Sequence, residues 1–248
     1  MADLHELSGE VAVITGGTRN IGLATAKLLR AHGAKVCVVG GADATSLDRA
    51  LSELGGSPHE VTGLLADVGN EDDVETIFNH AESQLGPVTI LVNGAANRPH
   101  KEFVEITRAE WDQVLGVVLT GAFLLSQKLH QRLPKGRLGA IVNLGGLSAH
   151  KPATERPHVI AAKAGLQGLT RALAMEGLGR IRANMVIPGA IETERKPGQS
   201  VPHKANEPGV MPPGTSEDVA RIILAMANPR DQYVTGQSIH ANGARFMP

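Results

Sequence analysis

A short apolar run, Val11–Thr15, passes directly into Gly16-Gly17-Thr18-Arg19-Asn20-Ile21-Gly22 and then into the helix-forming series Leu23-Ala24-Thr25-Ala26-Lys27-Leu28-Leu29. A strand, a glycine turn and a helix start that meet in so few residues constrain the fold more than any other feature of the chain. Gly16 permits the tight turn, and Gly22 lets the helix approach the strand. The unpaired amides at the helix amino end, reinforced by the helix dipole, favour a pyrophosphate. The glycines count as a signal because of this strand–turn–helix setting and would be weak without it.

The rest of the chain continues the alternation. Short runs rich in Val, Ile and Leu predict strands near Val11–Thr15, Lys35–Val39, Val61–Ala66, Thr89–Asn93, Ala140–Leu144, Arg182–Ile187 and Ser238–His240. Apolar residues at three- and four-residue spacing predict helices near Ile21–His32, Ser46–Leu54, Asp72–Leu85, Ala109–Leu133, Arg156–Leu178 and Ser216–Asn228. Seven strands alternating with helices describe an α/β fold, a Rossmann-type doubly wound parallel sheet flanked by helices. No polar or low-complexity tract divides the 248 residues, so one dinucleotide-binding domain is expected. Glu194 to Pro213 holds five prolines and two glycines with little periodicity, which predicts an irregular substrate lid near 194–213.

Composition narrows the partners. Lys and Arg total 24 against 25 Asp and Glu, so no strong field is available to hold nucleic acid or an anionic membrane. A small-molecule substrate is expected instead. No apolar stretch approaches the roughly 20 residues that span a bilayer, and a cytoplasmic location is expected. Cys37, the only cysteine, excludes an internal disulfide and a thiolate zinc site, and its place in an apolar run reads as core packing. The histidines show no close ligand spacing, so no metal site is expected.

The octet Thr15 to Gly22 resembles the Thr-Gly-x-x-x-Gly-x-Gly loop of the short-chain dehydrogenase/reductase family, above all its β-ketoacyl-carrier-protein-reductase-like members. Asn20 replaces the middle glycine, and Asn is among the few other residues that tolerate a left-handed backbone. Further matches follow in the family's order. Asp67-Val68 resembles the adenine-binding pair, and Asn93-Gly94-Ala95-Ala96 the Asn-Asn-Ala-Gly element bordering the cofactor. Pro188-Gly189-Ala190-Ile191-Glu192-Thr193 is similar to the segment that packs on the nicotinamide, with Thr193 placed toward the carboxamide or phosphates. Val234-Thr235-Gly236-Gln237 and Asn242-Gly243 resemble the closing strand. The resemblance implies cofactor contacts from Thr15, Gly16, Thr18, Arg19, Asn20, Ile21, Gly22, Asp67, Val68, Asn93, Gly94, Ala95, Lys163, Pro188, Gly189, Ile191 and Thr193.

An acid at the end of the second strand usually selects the cofactor without the 2′-phosphate. Here Val38-Val39 runs into Gly40-Gly41-Ala42, while Arg19 can reach toward a phosphate, so NADP(H) is favoured. NAD stays possible if Asp43 turns back to the ribose.

The resemblance also implies a Tyr four residues before a Lys on one helix, both directed at the nicotinamide. Lys163 fills the Lys position, but Val159 stands at the Tyr position and has no ionisable proton. The only tyrosine is Tyr233, remote in the family's topology. The Ser position, thirteen residues before the Tyr, is Gly146, with Ser148 displaced nearby; the Asn position is Val118. Two functions stay open. One is an NADP(H)-dependent oxidoreductase acting on a small polar carbonyl or alcohol through a nonstandard site. There His158, His150 or Lys163 supplies the proton, and Arg98, His100, Ser148 and Arg156 hold the substrate. The other is a catalytically degenerate nucleotide-binding regulator or supporting subunit, for which the ribose contact of Lys163 alone would suffice. Apolar positions on more than one face of Ala109–Leu133 and Arg156–Leu178 predict a homotetramer, as in relatives that pair these helices.

Overall fold

A computed structural model describes residues 6–194 and 211–248. The expected lid therefore lies largely outside the described residues. The strands are β1 (Val11–Thr15), β2 (Lys35–Gly40), β3 (Val61–Leu65), β4 (Ile90–Asn93), β5 (Gly139–Leu144), β6 (Ile181–Pro188) and β7 (Ser238–Ala241). They form one sheet in the order β3-β2-β1-β4-β5-β6-β7, with every neighbouring pair parallel. The order reverses direction between β1 and β4. At that point the loops following the two strands diverge and leave a crevice above their carboxyl ends.

The helices are α1 (Asn20–Ala31), α2 (Ala44–Leu54), α3 (Glu71–Leu85), α4 (Arg108–Leu115), α5 (Gly121–Arg132), α6 (Pro157–Glu176) and α7 (Ser216–Ala227). On one face Ile77, Phe78, Leu125 and Leu129 pack on Val13, Leu91 and Ile141 of the sheet. On the other, Leu23, Leu29, Val219 and Ile223 pack on Ile14, Val92 and Val186. Both faces of the strands are thus covered, which is why β1 and β4 are buried along their whole length. Cys37 is buried in the first of these layers, and burial pushes its thiol up to about 12, so it packs and does not react.

One helix differs from expectation. The continuous helix expected over Ala109–Leu133 is divided by a π-helical stretch, Gly116–Thr120, between α4 and α5. Its physical setting is close contact with the β3–α3 connection. A side-chain carbon on Gly121 would lie 2.8 Å from Val68 Cγ2, and one on Gly69 would lie 3.3 Å from the Gly116 carbonyl carbon. Apolar spacing does not reveal such a bulge, because a single wider turn shifts the helix face without breaking its pattern.

Candidate active site

The phosphate turn forms as the glycines require. Gly16 has φ +67°, and a side-chain carbon there would come within 2.8 Å of the Gly94 carbonyl oxygen. At Gly22 the same carbon would lie 2.1 Å from the Gly16 carbonyl oxygen, so only glycine allows α1 to seat on the turn. Asn20 is left-handed at φ +49°, as the substitution for glycine anticipates. Its side chain also has a second role: Oδ1 accepts from the Glu194 amide at 2.9 Å and Nδ2 donates to the Glu194 carbonyl at 3.4 Å. Thr15 ties the two halves of the crevice together, its hydroxyl oxygen accepting from the Gly94 and Ala95 amides at 3.1 and 3.2 Å. The side chains of Asp43, Asn70, Thr107 and Thr215 cap α2, α3, α4 and α7. In contrast α1 has no side-chain cap and no acid in its first turn. Its leading amides are therefore available to an external anion.

The adenosine end is similarly arranged. Asp67 is exposed, and one carboxylate oxygen accepts from the Gly69 amide at 2.9 Å, fixing its direction. Val68 beside it is buried. Gly40 sits under Thr18, and Gly41 faces open space. Asp43 points to its own helix, accepting from the Ser46 amide at 3.0 Å and the Ser46 hydroxyl at 2.7 Å.

Below the crevice lies a buried polar chain of which the sequence marked only Asn93, and that as a cofactor contact. Asn93 Nδ2 donates to Asn143 Oδ1 at 2.8 Å, and Asn143 Nδ2 donates to Thr170 Oγ1 at 2.9 Å. Thr170 in turn donates to the Leu166 carbonyl at 2.7 Å. These bonds join β4, β5 and α6. The available signal was an Asn inside the apolar run of β5, since a polar group in a buried strand needs a partner.

Lys163 projects from α6 into the same region, where its ammonium donates to the Leu144 carbonyl at 2.5 Å. Burial, and secondarily the Arg98 guanidinium, lower its pKa to about 7. Arg98 stands in the open crevice, exposed yet surrounded by protein on most sides. Burial and the neighbouring Arg19 charge press its pKa down, and among the described residues it has no carboxylate partner. Arg156 also feels Arg98. The fold thus gathers Arg19, Arg98, Arg156 and Lys163, cations from four separate segments, around one opening. Arg156 Nε donates to His100 Nε2 at 2.9 Å, and the Lys101 amide donates to the Glu155 carbonyl at 2.9 Å. These contacts join the loop after β4 to the loop before α6.

The two candidate histidines each have one buried ring nitrogen with no hydrogen-bond partner among the described residues. His158 is 1% exposed, and the charge that acts on it is Glu110 of α4. His150 packs against His240 with ring centres 4.7 Å apart and against Phe246 at 5.6 Å. Burial lowers both pKa values. No hydrogen bond among the described residues links either ring to Lys163. Gly189 meets Asn242 so closely that a side-chain carbon would lie 2.7 Å from its Cα, which seats the Pro188–Thr193 segment against the chain's end. Ile191 pairs with Gly214 in a parallel bridge, and Thr193 is half-buried beside the latched Glu194.

A family model described as enoyl-(acyl carrier protein) reductase matches residues 16–243. The 3-oxoacyl-[acyl-carrier-protein] reductase FabG of Escherichia coli is 30% identical over 96% of this chain and 98% of its own length. Nodulation protein G of a Rhizobium strain is 34% identical over 98% of this chain and 100% of its own. A crystal structure titled short-chain dehydrogenase/reductase SDR: glucose/ribitol dehydrogenase, from Brucella melitensis, superposes with a TM-score of 0.87 at 30% identity, covering 98% and 99% of the two chains.

The chain belongs to the short-chain dehydrogenase/reductase family. It is a FabG-like oxidoreductase of that family, with the family's seven-stranded parallel sheet. No helix among its described residues is long and apolar enough to cross a membrane. Val159 and Val118, at the positions where the sequence resemblance expects Tyr and Asn, lie in one apolar cluster with Val114, Leu166, Met185 and Ile187. They are 1% and 2% exposed, so this slot is closed by packing. Gly146, where the resemblance expects Ser, faces the stem of Lys163.

Proposed function

We propose that this short-chain dehydrogenase/reductase transfers hydride between NADP(H) and a small polar carbonyl or alcohol, using Lys163 as the proton-carrying group in place of the missing tyrosine. The single observation that carries this reading is the buried Lys163 ammonium at the crevice, with a pKa of about 7. A general acid is most effective when its pKa lies near the working pH. His150 and His158 are the weaker candidates, because neither ring is hydrogen-bonded to Lys163 among the described residues and burial lowers both pKa values.

The residues present fit a dinucleotide. The uncapped amino end of α1 suits its pyrophosphate, and the exposed Asp67 carboxylate suits the adenine. The choice of NADP(H) over NAD rests on the acid-free end of β2 at Gly40-Gly41, on Arg19 beside it, and on Asp43 being used as a helix cap. The nicotinamide would supply or accept the hydride when bound. In the reductive direction the Lys163 ammonium gives its proton to the oxygen that becomes the hydroxyl, and the resulting amine stays hydrogen-bonded to Leu144. Arg98 and Arg156 hold polar or anionic parts of the substrate.

The test is a screen of NADPH oxidation against small ketones and 3-oxo esters, followed by a pH profile on the best substrate. Because the ammonium is the reactive form, reduction is expected to fall as pH rises through about 7. Lys163→Ala is expected to abolish that limb and lower turnover by about 10² to 10⁴. If no carbonyl compound oxidises NADPH while the cofactor still binds, the protein is a nucleotide-binding regulator. A homotetramer is the proposed assembly, since Phe123, Met175 and Leu178 leave apolar surface exposed along α5 and the end of α6. Light scattering at micromolar concentration checks it, and a monomeric mass refutes it.

A further inference from the structure

The proton source leaves a second role in carbonyl reduction to be filled: a preorganised donor that stabilises the substrate oxygen as it gains negative charge. Position 146 carries no side chain for this purpose. Its backbone is extended, at φ −169° and ψ 137°, so no conformational demand keeps it glycine. A side-chain carbon built there would have only ordinary neighbours: Lys163 Cγ at 3.7 Å, Lys163 Cδ at 4.0 Å and Ser148 Oγ at 3.7 Å. Gly145 beside it is the opposite case, since its side-chain carbon would lie 2.7 Å from Met185 Cε and 2.9 Å from Ile187 Cγ1. Gly146 therefore accepts a side-chain carbon without displacing its neighbours, in ordinary contact with the Lys163 stem and the Ser148 hydroxyl.

Ser148 is half-buried on the short turn Leu147–Ala149. That turn is fixed by backbone bonds from Ala149 to Gly146 at 3.1 Å and from His150 and Lys151 to Leu147 at 2.9 and 2.8 Å. Among the described residues the Ser148 hydroxyl has no hydrogen-bond partner, so its donor is free for a ligand. We propose that Ser148 polarises the substrate carbonyl, its hydroxyl acting beside Gly146 in place of the serine that position 146 lacks. This inference rests on the oxidoreductase reading and adds a catalytic residue to it. The hydroxyl donates to the carbonyl oxygen and strengthens that bond as the oxygen gains negative charge. The proton that completes the alcohol comes from Lys163, so Ser148 keeps its own.

The room for a side chain at Gly146 makes the idea testable by transplanting the hydroxyl. Wild type is compared with Ser148→Ala, Gly146→Ser and the double variant Gly146→Ser/Ser148→Ala, with NADPH and ethyl acetoacetate as the probe. Ser148→Ala is expected to lower kcat by about 10² with a smaller change in KM and unchanged NADPH affinity, as for loss of one oxyanion donor. The double variant is expected to recover at least about a tenth of wild-type kcat, because a serine at 146 fits and reaches the same oxygen. A merely structural Ser148 would give no such rescue. A second readout does not need turnover: the carbonyl stretch of isotope-labelled ethyl acetoacetate bound with NADP⁺. It is expected to shift to lower frequency in wild type and the double variant, and to return toward its solution value in Ser148→Ala. Wild-type kcat in Ser148→Ala, a loss that Gly146→Ser leaves unrepaired, or no downshift in the wild-type complex would each overturn the inference. A downshift without NADPH oxidation instead preserves Ser148 as the carbonyl's partner and removes the oxidoreductase reading.

Discussion

The phosphate turn and the slot packed by Val159 and Val118 hold their residues in different ways. At the turn, backbone meets backbone. Side-chain carbons on Gly22, Gly94 and Gly16 would stand 2.1, 2.7 and 2.8 Å from carbonyl oxygens, so no other residue fits without moving α1 or β4. In the slot, side chains meet side chains. Val159 and Val118 fill space beside Met185 and Ile187, and the backbone there would accept many residues of similar volume. A cradle made of backbone approach tolerates almost no substitution, whereas a proton relay made of side chains can be replaced by packing while the fold persists. Asn20 marks the boundary between the two regimes, since it retains the left-handed backbone and adds a side-chain latch to Glu194.

The largest effect that would test this contrast is expected from Gly22→Ala. The added methyl collides with the Gly16 carbonyl oxygen, and displacing α1 spoils the amide cradle. NADPH affinity is expected to fall at least a hundredfold, with about 1–3 kcal/mol or more of lost stability from overpacking. Fluorescence titration and thermal unfolding measure the two, and wild-type values in both would break the comparison.

Val159→Tyr comes next. A phenol has no room in the cluster of Val114, Val118, Ala162, Met185 and Ile187 and must push the neighbours apart. A loss of about 1–3 kcal/mol is expected in denaturant unfolding, with a gain in turnover far below the about 10² to 10⁴ of a well-positioned acid. A tyrosine that restored such a rate would show that the slot remains functional and only lacks its residue.

The smallest effect is expected for Arg19→Ala, which removes the cation at the start of α1. NADPH affinity should drop about tenfold, equivalent to about 1.4 kcal/mol, with NADH nearly unchanged. Equal weakening of both cofactors would remove the argument for a 2′-phosphate contact and return Asp43 to consideration.

All seven strands and the helical segments were legible because each has a local cause: a buried run of β-branched residues, an amphipathic period, a cap or a glycine. The glycine turn was legible for the same reason, its geometry being settled within eight neighbouring residues. The π-helical stretch at Gly116–Thr120 was not; it packs close to Val68 and Gly69, far away in the chain, which apolar spacing does not reveal. The buried chain from Asn93 to Thr170 was equally hidden, since its bonds join three elements. Charge offered no warning of the crevice either. The whole chain is close to neutral, and only folding brings Arg19, Arg98, Arg156 and Lys163 together.

The sequence by itself determined the parallel α/β sheet, the phosphate turn and the absence of tyrosine, serine and asparagine at positions 159, 146 and 118. These follow from residue type and short spacing, where each signal lies within one or two elements. Only the tertiary structure decided what surrounds those positions. It closed Val159 and Val118 into a packed cluster, set His150 against His240, buried Lys163 until its pKa fell to about 7, and placed Gly146 within contact distance of Lys163 and Ser148. Burial, and the charges and hydroxyls that share a cavity, depend on residues distant in sequence, so they exist only once the sheet has brought its loops to one edge.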